Sequence, residues 1–204
     1  MKNKSLLFLI FVLIIPMQMF AQYEKYLLKD PEPKVYRQGG VAFSVVELGT
    51  GLGGFYSLPL KHFWHVGFAA DFFLLRDENQ IDIVDPWTGI PVTINKENNA
   101  YVMDLTVSLK KRLLARKIDD SLRPFLAAGM GPMYGINFPI DKKKKDEYRW
   151  AWSVFGAAGV DIALESMYFL GLRLQYHVIK FNKSFTGKTD HSTFDIRLEI
   201  GKFL

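Results

Sequence analysis

The chain has 204 residues, with 26 Lys+Arg against 21 Asp+Glu, no Cys, 49% apolar and 15% aromatic residues. That length suits one domain or at most two small ones, and the aromatic content excludes an intrinsically disordered chain. The missing Cys excludes a disulfide scaffold, a thiol nucleophile, a Cys-based zinc site and a lipid-modified N-terminal cysteine.

Residues 1–21 have the tripartite layout of a secretory signal: Lys2 and Lys4, an apolar run from Leu6 to Ile15, then Pro16 and a short segment ending at Ala21. Ten apolar residues reach only about 15 Å as helix, half of a bilayer core, so an anchor is disfavoured. Removing residues 1–21 takes two Lys and no acid, leaving 24 basic against 21 acidic residues, a net charge of +3. That excess is too small to argue for nucleic acid. Residues 22–34, with Lys29-Asp30-Pro31-Glu32-Pro33, are expected to form a polar periplasmic lead-in.

From residue 35 onward the chain alternates with period two. Val41, Phe43 and Val45 alternate with Ala42, Ser44 and Val46. Gly49-Thr50-Gly51 can turn the chain, and Leu52, Tyr56 and Leu58 continue the pattern. Over 64–74, Trp64, Val66, Phe68, Phe72 and Leu74 oppose His65, Gly67, Asp71 and Phe73. Residues 80–85 and 90–95 flank Pro86-Trp87-Thr88-Gly89 and predict a hairpin within a longer loop. Residues 101–112 set Tyr101, Met103, Leu105, Val107 and Leu109 against Asp104, Thr106, Ser108, Lys110 and Arg112. A helical reading of 104–118 through Leu105, Leu109 and Leu113 fits less well. Further strands are predicted near 122–137, 149–164, 167–180 and 193–204.

One parity is large and apolar; the other is Gly, small or fully charged. A soluble sheet would bury the apolar face, as lipocalins do, whereas a transmembrane barrel turns it to lipid. Charges at mid-strand favour the barrel. So do aromatics near strand ends (Tyr101, Tyr148, Trp150, Trp152, Tyr168, Phe203) and the alternation of short and long connections. Connections at 59–62, 113–122 and 164–167 are short and expected on the periplasmic side; 77–99, 138–148 and 181–192 are longer and expected outside. Residues 35–60 must supply two strands, because an open seven-stranded sheet would leave unpaired edges in lipid. The predicted fold is therefore all-β: an eight-stranded antiparallel up-and-down transmembrane barrel over residues 35–204.

The signal ending Phe20-Ala21-Gln22, the Gly-rich run at 49–54, Arg123-Pro124-Phe125 and the alternating last strand together resemble small outer-membrane barrels. These are of the OmpA, OmpX and OmpW type, and most of all the "outer membrane protein β-barrel domain" group. The resemblance implies residence in the outer membrane among its lipid and lipopolysaccharide, insertion by the barrel assembly machinery, and no cofactor. The OmpW likeness implies a small transporter of hydrophobic or ionic solutes as one alternative, and an accessory barrel of a secretion machine is another.

An eight-stranded bore is just wide enough for side chains to fill. Asp71, Asp104, Asp161, Arg173, His177, Asp195, Arg197 and Glu199 are the expected lumen charge network, with His65, Lys110 and Gln175 also inward. A last hairpin centred near residue 186 would set Arg173 opposite Glu199, Gln175 opposite Arg197 and His177 opposite Asp195. Buried charges need partners, so an internal plug is the plainer expectation than an ion path. Lys142, Lys143, Lys144 and Lys145 form a cluster in an expected external loop, where they could meet a surface polyanion. No catalytic, cofactor or metal site is expected. His62 and His65 fall on opposite faces, and adjacent Asp190, His191 and Ser192 cannot form a relay on a strand. The run Gly49–Gly54 lacks the helix and Lys-Ser/Thr of a phosphate loop.

Overall fold

The computed structural model describes residues 35–77, 80–118, 121–164 and 167–204. The expected signal and lead-in, residues 1–21 and 22–34, lie outside the described residues. Eight strands close into an antiparallel barrel: β1 (Gln38–Val46), β2 (Gly49–Pro59), β3 (Trp64–Leu75), β6 (Asn98–Arg112), β7 (Leu122–Pro139), β8 (Glu147–Ala163), β9 (Tyr168–Phe185) and β11 (Thr193–Phe203). Each pairs with its neighbour in the chain, and β1 pairs with β11 to close the cylinder. Two short elements, β4 (Ile81–Val84) and β5 (Pro91–Ile94), form a separate hairpin, while β10 (Lys188–Asp190) folds back on the end of β9.

The alternation is inverted relative to a soluble barrel. Val41 and Phe43 are 58% and 47% exposed while Ala42 and Ser44 between them are buried. Leu172, Leu174 and Tyr176 likewise face out, and Gln175 and His177 face in. Apolar residues thus coat the outside and polar ones fill the bore, as lipid requires. On the outer wall Tyr134 packs on Trp150, ring centroids 4.6 Å apart, and Phe72 stacks on Tyr101 at 6.0 Å. Phe203, expected in an aromatic girdle, instead points inward and stacks on Phe169 at 4.9 Å. Its odd number places it on the parity of Asp195, Arg197 and Glu199.

The strands differ in reach. β1 has 9 residues, about 30 Å of chain, which after tilting just crosses an apolar band of about 25 Å. β7 and β9 have 18 residues each and rise well beyond it. All the long extensions are at one end, with the hairpin β4–β5. The first connection at that end is only Glu47–Leu48, as short as any at the other end. The turn therefore precedes the predicted Gly49-Thr50-Gly51, whose glycines belong to β2. The reason is space: a Cβ on Gly51 would lie 2.5 Å from the Phe73 ring, and one on Gly53 1.9 Å from an oxygen of Asp71.

The opposite end turns tightly through Lys61–Phe63, where His62 and Phe63 both hold positive φ, 58° and 63°. The β9–β10 turn uses Thr186 and Gly187, φ 50° and 88°. Between Lys188 and Asp190 the register shifts, and β11 pairs with β9 two positions away from the register of a hairpin centred near residue 186. Asp195 is directly opposite Gln175 instead of His177, Arg197 opposite Arg173, and Glu199 opposite Gly171.

Candidate functional site: the interior of the barrel

The bore has two halves of different chemistry. The half next to the short turns holds ionised groups; the half next to the long extensions is mostly apolar.

The charged half is built from the inward parity of six strands. Arg197 on β11 donates through Nη1 to Asp71 on β3 at 2.7 Å, and through Nε to Glu199 at 3.0 Å. Arg173 on β9 reaches the same Glu199 oxygen at 2.8 Å. Glu199 is 1% exposed and takes both guanidinium groups, which is the pairing a buried carboxylate needs. Gly171 opposite it makes room: an added Cβ would lie 3.1 Å from the Glu199 Cβ. Lower down, Lys110 on β6 donates to Asp161 on β8 at 2.5 Å and to the side-chain Oε1 of Gln38 on β1 at 3.3 Å. Its ammonium also lies 4.0 Å from the centre of the Phe125 ring. The Arg123 guanidinium sits 4.1 Å over Phe203. These packed groups leave two small spaces, of about 30 and 20 Å³. Each has room for one or two waters.

Above this layer, Gln175 donates to Asp195, and the Ser153 hydroxyl pairs with His177 Nδ1 at 3.0 Å. His177 Nε2 lies 3.8 Å from Asp195, too far for a hydrogen bond. Asp104 sits directly opposite Asp71 on β3. It is 1% exposed, and among the described residues it has no ion pair; its Oδ1 has no hydrogen-bond partner.

The apolar half consists of Val46, Phe73, Ala100, Val102, Met133, Ala151, Ile179, Phe181 and Phe185, all buried. Phe181 and Phe185 stack at 4.7 Å and His191 packs against both rings. Val46, Phe73, Ala100, Val102, Met133, Ile179 and Phe181, with His191, line a cavity of about 500 Å³ that opens at the end carrying the long extensions. Asp104 and His177 form part of its lining.

All eight residues of the expected lumen network thus point into one bore, as do His65, Lys110 and Gln175. The network divides: Arg173, Arg197, Asp71 and Glu199 form one ionic cluster, Lys110 and Asp161 a second, and Asp104 stands apart from both. The Arg173–Glu199 contact forms diagonally despite the shifted register. Sequence reasoning missed Gln38, Phe125 and Ser153 as network members. It also missed the apolar outer half, although Phe73, Val102 and Ala151 stood on the inward parity.

Lys142, Lys143, Lys144 and Lys145 occupy the exposed turn between β7 and β8, and Lys144 pairs with Glu97 at 3.3 Å. That turn is held by Asp141, which accepts from the Lys143 amide at 3.0 Å. Asp77 closes the base of the β4–β5 extension by accepting from the amides of Glu97 and Asn98 at 2.7 and 2.8 Å. At its tip the Thr88 hydroxyl and Trp87 amide donate to Asp85 and hold its carboxyl below the usual range.

Asp190, His191 and Ser192 form no relay. The Ser192 hydroxyl accepts from the Ile179 amide at 3.2 Å, His191 Nε2 meets the Phe185 carbonyl at 3.0 Å, and the Ser192 amide donates to Asp190 at 2.9 Å. His62 lies in an exposed turn and His65 in the bore, so they share no ligand position. Among the described residues no group of three or more His, Asp or Glu could hold a metal ion.

No protein-family profile and no curated protein matches the chain. Solved structures do. The N-terminal β-barrel domain of Pseudomonas aeruginosa OprF is similar over 82% of this chain and 96% of its own length, at 11% identity and a TM-score of 0.53. Neisserial surface protein A is similar over 81% and 93%, at 12% identity and a TM-score of 0.49. The outer membrane protein OprG from Pseudomonas aeruginosa is similar over 81% and 91%, at 14% identity and a TM-score of 0.46. Such identities speak to fold alone, and there the OprF domain agrees with the strand pairing: the chain is a closed, eight-stranded antiparallel β-barrel of the small transmembrane kind.

Proposed function

We propose that the protein is an integral outer-membrane barrel with a structural or interaction role, its bore closed by side chains. The observation that carries this reading is the ionic cluster of Arg197, Asp71, Glu199 and Arg173, stacked on the Lys110–Asp161 pair. The spaces beside them are small, about 30 and 20 Å³, each the size of one or two waters, which supports a bore closed to hydrated ions. The apolar outer wall supports residence in lipid, and the signal-like residues 1–21 support export. Insertion by the barrel assembly machinery follows from that location. The reading is non-enzymatic, since Asp190, His191 and Ser192 spend their polar atoms on backbone contacts.

Planar-bilayer recording tests the closed bore. The expected result is no unitary conductance from the purified barrel. Reproducible steps of uniform size would overturn it and favour a small transporter of hydrophobic or ionic solutes.

A contact with anionic lipopolysaccharide is a second part of the reading. It is supported by the exposure of Lys142, Lys143 and Lys145 at the end of the barrel assigned to the outside. Replacing Lys142 to Lys145 by Gln should weaken retention on lipopolysaccharide at low salt, with little change at high salt.

A further inference from the structure

The apolar half of the bore is a blind cup. Its walls are Phe73, Val102, Met133, Ile179 and Phe181, its mouth faces outward by the loop topology, and Asp104 and His177 lie at its inner end. A volume of about 500 Å³ falls within the range of small-molecule sites.

One polar group in the cup is left wanting. Asp104 lies in register with Asp71, so two carboxyl groups stand side by side on adjacent strands. Asp71 is served by Arg197 at 2.7 Å. Asp104 is 1% exposed; the Ser153 hydroxyl hydrogen-bonds to its carboxyl, but among the described residues no cation pairs with it and its Oδ1 accepts no hydrogen bond. A carboxyl with a like-charged neighbour and no counter-ion, buried under an apolar wall, is costly until a cation reaches it. The mouth adds to the field: Glu47, Asp77, Glu97 and Asp190 line it against Arg76 and Lys188, with Lys144 paired to Glu97.

We propose that this cup is a binding site for a small organic cation. Its ammonium group would sit on Asp104 and its hydrocarbon or aromatic body against Phe73, Met133, Ile179 and Phe181. The site goes beyond the closed-barrel reading and does not need conduction; a bore that conducts could still bind at this position, so the two tests fail separately.

The methionines supply both a reporter and a control. Met133 is inside the cup and 4% exposed, whereas Met103 and Met130 face the lipid, 49% and 56% exposed. The barrel is labelled at the methionine methyls and titrated with 2-phenylethylammonium, 2-phenylethanol and phenylacetate. The Met133 signal should shift saturably. The ammonium should bind at least about tenfold more tightly than the alcohol, the scale of one charge-assisted hydrogen bond, and phenylacetate more weakly still. Asp104→Asn should bring the ammonium down to the alcohol's affinity. Ile179→Trp, which fills the cup, should abolish the saturable shift for all three. Heat-dependent gel mobility establishes that each variant is folded, and the three probes on the unaltered protein decide the matter if Asp104→Asn does not assemble. Equal affinities for ammonium and alcohol would overturn charge selection, the result of a carboxyl kept neutral. Shifts confined to Met103 and Met130 would mean partition into detergent and overturn the site.

Discussion

Arg197 and Asp71 meet across the bore at 2.7 Å although 126 positions separate them in the chain. The contact ties the last strand to the third and holds one guanidinium between two carboxylates. Replacing Arg197 by Met would leave Asp71 without its cation and Glu199 with only Arg173. Breaking a buried pair from one side costs about 3–5 kcal/mol. We expect Arg197→Met to lower the unfolding free energy by that amount, read as a lower urea midpoint of the folded, fast-migrating gel species at unchanged m. The double variant Arg197→Met/Asp71→Leu should recover part of the loss, because no lone charge then remains at that pair. A midpoint unchanged in the single variant would show that the cluster is not a stabilising closure.

Gly53 is the empty side of the same cluster. A methyl there would lie 1.9 Å from the Asp71 carboxylate and 2.5 Å from the Ala70 carbonyl, so Asp71 must move off Arg197. Gly53→Ala should cost about 1–3 kcal/mol, as overpacking does. Gly156 is the matched control, since its Cβ would meet nothing within 4 Å. Thermal unfolding followed by circular dichroism should separate the two; equal melting would remove the steric role assigned to Gly53.

Leu172 is 43% exposed on the lipid side of β9, and Gln175, three residues on, is buried against Asp195. Leu172→Arg places a charge near mid-membrane at a cost of about 2–4 kcal/mol. Gln175→Arg puts the same charge in the bore, where Asp195 can receive it. The yield of folded barrel in membrane fractions should therefore fall much further for Leu172→Arg. The reverse order would mean that the lipid-facing parity is assigned the wrong way round.

His62 and Phe63 hold φ of 58° and 63° in the tight turn between β2 and β3, a region that costs side chains with a Cβ energy. Asn-Gly suits that backbone. Replacing His62-Phe63 by Asn-Gly should raise stability by about 0.5–1 kcal/mol, less whatever the loss of the Arg116–Phe63 contact at 6.0 Å removes. A urea midpoint that falls would indicate that the contact outweighs the turn strain.

The count of eight came from the need to close the sheet in lipid, but period-two alternation was enough to read six strands, the hairpin flanking Trp87 and the inward set from His65 to Glu199. Each is a local property: the side-chain direction repeats every second residue whatever the neighbours do, and charged residues at mid-strand have only the bore to occupy. Which inward group meets which could not be read that way. With a register irregularity between Lys188 and Asp190, every β9–β11 partner lies two positions from the one a hairpin centred near residue 186 gives, and such a slip preserves the face of each residue while changing its neighbour. The turn at Glu47–Leu48 escaped for a related reason. The glycines that looked like turn residues are in β2 because Phe73 and Asp71 on the next strand need their space. The division of the bore was equally a matter of the assembled cylinder. Phe73, Val102, Met133, Ile179 and Phe181 come from four strands, and only closure brings them around one cavity with Asp104. Composition and periodicity determined that greasy residues face out and polar ones in; the three-dimensional register decided which charges are neutralised and where a cup remains.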